Sequence, residues 1–179
     1  MSKNPYLEYA SSFRRLAVEG RNLPFGGFPK PEKTELAEDA PVALILSPHP
    51  DDECVIGGLA LRLLRESGVR IVNVAVTLGS NRERQAERLE ELRGACDWIG
   101  FGLQETIPGG LEQVTPESRE KDPEHWKRSV DRLGEIIDQW APQAIFFPHA
   151  SDWNGTHIGV HLLTVDALRQ RPQLNTLLI

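Results

Sequence analysis

Cysteine is scarce in this sequence. Cys54 and Cys96 are the only two, too few and too unpatterned for a disulfide framework or a Cys-based zinc site, and they suit a reducing compartment. Basic residues are not in excess either. Twenty Lys and Arg against 26 Asp and Glu give a formal net charge of -6, so the chain lacks the basic face that nucleic acid as a principal partner requires. Apolar runs are short: none approaches the length that crosses a bilayer, and Met1-Ser2-Lys3-Asn4-Pro5-Tyr6 has no apolar signal core. The reading is a cytoplasmic protein without a membrane partner. Internal repeats are lacking too. What remains is an ordinary composition, 179 residues with 40% hydrophobic and 26% charged, enough for one sizeable core.

Chemistry concentrates in two places. Val42-Ala43-Leu44-Ile45-Leu46 reads as a buried strand and runs straight into Ser47-Pro48-His49-Pro50-Asp51-Asp52-Glu53. Pro48 and Pro50 stiffen the loop and bias Ser47 and His49 toward extended geometry. Three adjacent acids repel one another unless they are solvated or offset by a cation. About a hundred residues later Ala144-Ile145-Phe146-Phe147, a second short apolar run, opens into Pro148-His149-Ala150-Ser151-Asp152-Trp153-Asn154-Gly155-Thr156-His157 and then His161. Parallel strands put their C-terminal ends on one edge, so the two loops can meet there. Imidazole plus carboxylate, with a position left for water, is the composition of a hydrolytic metal site.

The intervening pattern predicts an α/β protein. A helix over Tyr6 to Val18 is followed by a Pro- and Gly-rich arm from Leu23 to Ala40, read as a surface connector, with a lid or a subunit contact in a homo-oligomer as the alternative. Residues 1–40 thus form an N-terminal extension to a domain over 41–179. Within that domain helices are expected over Val55 to Ser67, Arg82 to Ile99, Glu124 to Trp140 and His157 to Arg169. Strands are expected over Arg70 to Leu78, Leu103 to Ile107 and Ala144 to Phe147, and a further one starts at Thr176. Leu111 to Pro123 reads as irregular and exposed, and His125 as a surface residue. A pattern that stops as a strand begins suggests that a C-terminal part is missing.

Taken together, Ser-Pro-His-Pro-Asp-Asp-Glu after the first strand, an Arg- and Glu-bearing helix ending in Ile99-Gly100, and an Asp-to-His loop after a later strand resemble the PIG-L (LmbE-like) zinc-dependent deacetylases over roughly Val42 to Leu168. The resemblance implies a Rossmann-like fold, a mostly parallel sheet flanked by helices. It also implies hydrolysis of an N-acetyl group on a small, sugar-like substrate. Position by position, it implies that His49, Asp52 and His157 bind Zn2+ or another divalent ion and that Asp51 is the general base. Asn154 falls where the family has the first histidine of its His-Pro-Asp-His block, and Thr156 replaces the aspartate. An amide can donate a hydrogen bond to an oxyanion but cannot change charge.

Supporting roles are open to Glu53, as a helix cap or a brace for a ligand histidine, to Asp152 in the second loop, and to Arg88 and Glu91 on the charged helix. His161, one turn beyond His157, is an alternative ligand, a substrate contact or a core histidine. Two other functions compete with deacetylation. One is metal-dependent hydrolysis of another amide, and the other is a catalytically silent ligand-binding or assembly domain.

Overall fold

The structure is a computed structural model that describes residues 4–23 and 29–179; Met1, Ser2 and Lys3 of the N-terminal reading and Pro24, Gly26 and Gly27 of the arm lie outside them. The chain divides into two units, Met1–Pro31 and Glu32–Ile179. In the first, α1 (Pro5–Gly20) is capped by the Asn4 side chain, which accepts from the Tyr6 N–H. The expected arm is therefore split. Its second half belongs to the larger unit, where Lys33 pairs with Asp97 at 2.8 Å, Leu36 packs on the core and Arg70 donates to the Ala37 carbonyl.

The larger unit is a five-stranded sheet in the order β3-β2-β1-β4-β5. Its strands are β1 (Val42–Ser47), β2 (Arg70–Ala75), β3 (Gly102–Glu105), β4 (Ala144–Phe146) and β5 (Leu177–Leu178), and every pairing is parallel. Its helices are α2 (Asp52–Ser67), α3 (Gln85–Ile99, preceded by a 3-10 turn at Arg82–Arg84), α4 (Pro116–Lys121), α5 (Pro123–Trp140) and α6 (Gly155–Arg169). Successive side chains of a strand point to opposite faces. Leu44, Leu46, Val72 and Val74 accordingly meet α5 and α6 through Leu133, Ile136, Ile137, Val160 and Leu163. Ala43, Ile45, Ile71 and Ala75 meet α2 and α3 through Ala60, Leu64, Leu92 and Cys96. Both faces being covered, the strands read as unbroken apolar runs. Each fully buried Leu or Ile contributes roughly 1.5–3 kcal/mol. The strand order reverses between β1 and β4, and a crevice opens at such a switch point, outside the carboxyl ends of the strands. Both chemistry-bearing loops leave the sheet there.

Two expectations are corrected. Leu111 to Pro123 is neither irregular nor exposed throughout, although most of its charged residues are exposed. Leu111 and Val114 are buried in the α5/α6 core, and α4 starts at a Thr115 cap that accepts from the Ser118 N–H at 3.1 Å. The Thr-Pro pair was its start signal. The second strand ends at Ala75, short of Leu78, because beyond it the ladder gives way to single bonds from Val76 N–H to the Ser47 carbonyl and from Leu111 N–H to the Val76 carbonyl.

Asp166 on α6 ties α4, α5 and α6 together. It accepts from the Arg119 guanidinium at 2.9 and 3.1 Å and from the Trp126 indole at 3.0 Å. Burial opposes its ionisation, but these donors prevail and hold its carboxyl below the usual range. A lowered folded pKa adds stability above the unfolded value, about 3.9, and loses it as pH falls through the folded value. Asp166→Asn is therefore expected to lower the unfolding free energy by about 2 kcal/mol at pH 7. Denaturant titrations repeated down to acid pH should show the gap closing below about pH 4.

Candidate metal centre

Four contacts shape the loop after β1. Thr77 Oγ1 donates to the Pro48 carbonyl at 2.6 Å, and the His49 N–H donates to Asp52 Oδ2 at 2.8 Å, folding the loop onto the first residue of α2. Ser47 Oγ donates to buried Asn73 Oδ1 at 2.6 Å, pinning the end of β1 to β2. Arg88 Nη2 donates to the Pro50 carbonyl at 2.9 Å. Asp51 has φ 122° and ψ -23°, a region that only glycine enters readily, and such strain costs about 1–3 kcal/mol. Its side chain is 74% exposed, with Oδ2 3.7 Å from Arg88 Nη2. Glu53, only 2% exposed, accepts from the Asp51 N–H at 3.0 Å and from the Cys54 thiol at 3.2 Å. Burial, followed by the Glu53 contact, pushes the Cys54 thiol up to about 11, and burial pushes Cys96 up to about 12, so both are held as thiols at neutral pH.

From the β4 side, Asn154 caps α6 with its side-chain oxygen accepting from the Thr156 N–H at 2.9 Å. That aims His157, in the first turn, at the β1 loop. His157 Nδ1 is 3.1 Å from Asp152 Oδ2. A carboxylate only accepts, so Nδ1 carries the proton and Nε2 presents its lone pair. Asp152 is itself held by the Asn154 N–H at 2.8 Å, and this bond foremost, then His157, keeps its carboxyl below the usual range.

The two loops meet. His157 Nε2 lies 3.3 Å from His49 Nδ1 and 3.5 Å from Asp52 Oδ2, and His49 Nδ1 lies 3.6 Å from Asp52 Oδ2. Among the described residues these three form the group whose ligand atoms converge closely enough for one cation. Burial works against ionisation of Asp52, but the contacts with the His49 ring and N–H outweigh it and hold its carboxyl below the ordinary range. Lone pairs and a negative charge converging on one point call for a cation. The spacing fits one, because ligand atoms about 2.0–2.1 Å from a tetrahedral ion stand about 3.3–3.4 Å apart.

Beside the group lies a cavity of about 300 Å³ lined by His49, Thr77, Ser80, Gln85, Gln113 and Thr156 among others. Arg82 and Glu112, also on its wall, pair at 2.7 Å. Gln113 and Thr115 escaped the sequence reading because their segment shows no periodicity; the Thr-Pro start of α4 was the available signal. The other histidines stand apart from the three. His161 Nδ1 lies 2.8 Å from the Pro148 carbonyl and its ring stacks on Phe147 at 5.4 Å. His149 accepts from the Ser151 N–H, and His125 lies 2.9 Å from the Glu112 carbonyl.

Fold and site define a parallel α/β protein with a His-Asp-His cluster that could hold a metal ion at the switch point of its sheet. The family model described as GlcNAc-PI de-N-acetylase, PIG-L, matches residues 44–168, and the chain belongs to that family. It is 30% identical over 119 residues to the probable N-acetyl-alpha-D-glucosaminyl L-malate deacetylase 2 of Bacillus cereus, an alignment covering 59% of this chain and 51% of the relative. The chain thus spans about half the length of that relative. Among solved structures, the N,N'-diacetylchitobiose deacetylase of Pyrococcus horikoshii is similar at a TM-score of 0.55 and 20% identity, covering 93% of this chain and 61% of the other. The 4-carboxy-2-hydroxymuconate hydratase GalB of Pseudomonas putida is similar at 0.56 and 19%, covering 72% and 55%. The likeness to both structures is one of fold, and the fold therefore hosts more than one reaction.

Proposed function

We propose that this chain carries the metal site and the general base of an N-deacetylase acting on a small N-acetylated, sugar-like substrate. The observation that carries the reading is the triangle of His49 Nδ1, Asp52 Oδ2 and His157 Nε2, with edges of 3.3–3.6 Å. These three residues would hold a divalent ion, zinc by the chemistry of the donors. When bound, such an ion supplies Lewis acidity, which lowers the pKa of water from ~15.7 to ~7 and polarises an acyl carbonyl.

Asp51 lies between His49 and Asp52 without joining the triangle, and its exposed carboxylate takes the proton from the attacking water and returns it to the departing amine. Asp152 keeps His157 in the tautomer whose Nε2 faces the site. The Asn154 oxygen is committed to capping α6, so its amide nitrogen is the end that donates to the developing oxyanion. The neighbouring cavity, of the size of a small-molecule pocket, receives the sugar through hydroxyl and amide side chains. Family membership and the name of the Bacillus cereus relative support the N-acetyl sugar over other amides.

Acetate release from N-acetylglucosamine and N,N'-diacetylchitobiose, followed with and without a chelator, tests the proposal. Release that stops in chelator and returns with added zinc is expected. Release undiminished by chelator contradicts the metal-dependent reading, and no release from a metal-loaded protein favours a silent binding domain.

A further inference from the structure

The cavity beside the triangle has a wall whose charges cancel. Apart from His49, Arg82 is the one basic residue and Glu112 the one acidic residue that line it among the described residues, and they pair at 2.7 Å across 30 positions of sequence. Both are brought to the meeting by a fixed backbone. Arg82 opens the 3-10 turn that the Asn81 side chain caps by accepting from the Glu83 N–H at 3.2 Å. Glu112 follows Leu111, whose N–H donates to the Val76 carbonyl at 2.8 Å, and its own carbonyl lies 2.9 Å from His125 Nε2. The two segments touch just before the pair: a Cβ on Gly110, at φ +74°, would stand 3.0 Å from the Leu78 nitrogen. Immediately after it Gln113 has φ 54°, a left-handed conformation that is uncommon outside glycine and clusters at ligand sites.

With side chains 76% and 48% exposed, the pair adds little to the stability of the fold, so its place on the wall calls for a role there. The other polar groups on that wall are neutral. Ser80, Gln113 and Thr156 offer hydroxyls and an amide, and Gln85, its Nε2 spent on the Gly79 carbonyl, offers its amide oxygen. Such groups suit the hydroxyls of a sugar. A carboxylate or phosphate gains most from an unpaired guanidinium, and here it meets the Glu112 carboxylate already in place. We infer that the Arg82–Glu112 pair is a specificity determinant: it neutralises the wall, and the substrate group seated there is an uncharged glycoside rather than an anion. This deepens the reading of an N-acetylated sugar substrate and rests on it for turnover.

Two compounds that differ in one substituent, methyl N-acetylglucosaminide and N-acetylglucosamine 1-phosphate, test it on the zinc-loaded chain. In the wild type kcat/KM should favour the methyl glycoside by about tenfold or more, because a like charge at the seat rejects the phosphate. Glu112→Gln, which frees the guanidinium, should move that ratio about 10- to 100-fold toward the phosphate, the scale of a charge-assisted contact, and the shift should shrink at high salt. Adding Arg82→Gln to Glu112→Gln should abolish the shift, which assigns it to the guanidinium. A wild type that prefers the phosphate overturns the inference. So does a ratio that Glu112→Gln leaves unchanged, or a shift that survives Arg82→Gln. If neither compound is turned over, the deacetylase reading fails, and the ratio of their Kd values in wild type and Glu112→Gln, by calorimetry, still decides the charge selection; binding of neither overturns both.

Discussion

Asp51→Asn is expected to lower kcat by about 10³-fold, within the range for loss of a general base, while KM and bound metal stay close to wild type. The amide keeps the shape and can still face the Arg88 guanidinium, but it cannot accept and return a proton. Asp51→Gly should be as inactive and yet more stable. Glycine enters the positive-φ region freely, so the strain of about 1–3 kcal/mol is relieved, offset in part by about 0.5–1 kcal/mol of extra unfolded-chain entropy. The exposed pair with Arg88, at 3.7 Å and 74% exposure of the acid, adds little to the other side. A net gain of about 1 kcal/mol in chemical denaturation, together with lost turnover, would show that the conformation is retained for chemistry. A drop in stability would instead make Asp51 a structural residue.

Gly159→Ala is expected to be the most damaging single-atom addition to the fold. A Cβ at Gly159 would stand 2.1 Å from the Val114 carbonyl oxygen and 2.8 Å from the Thr115 Cα. These are backbone atoms that no rotamer change can remove. Either α6 or the 111–115 segment must shift, at a cost of about 3 kcal/mol or more. Because Gly159 follows His157 by two residues and the displaced segment walls the cavity, activity should fall along with stability. Gly58→Ala in α2, where nothing lies within 4 Å, serves as the control and should gain about 0.5–1 kcal/mol. Equal melting temperatures for the two variants would contradict the close approach of α6 to this segment.

Much of this arrangement was legible in the sequence, for identifiable reasons. β1 and β4 announced themselves as apolar runs because both faces of the sheet are covered, and each ended in polar residues because a parallel sheet carries its chemistry at that edge. The two loops were therefore marked as the site, while the choice of His49, Asp52 and His157 within them came from the resemblance to the PIG-L deacetylases. α5 showed through the spacing of Trp126, Val130, Leu133 and Ile137, all of them buried. The segment from Leu111 to Lys121 was opaque. Its two anchors, Leu111 and Val114, are isolated apolar residues without periodicity, and a six-residue helix offers too few turns to establish one. The strain at Asp51 was hidden because positive φ is usually signalled by glycine. Arg88 was singled out on the charged helix together with Glu91, but nothing local specified that its guanidinium reaches the Pro50 carbonyl. The fit of Gly159 against Val114 is a tertiary fact with no local signature.

The most direct measurement of the central claim is the metal content of the purified chain and of His157→Ala, by elemental analysis after dialysis against trace zinc. About one divalent ion per wild-type chain, falling below a tenth of that in the variant while circular dichroism is unchanged, is the predicted result for a three-ligand site. Equal content in the two proteins, or none in either, would contradict a metal held between His49, Asp52 and His157.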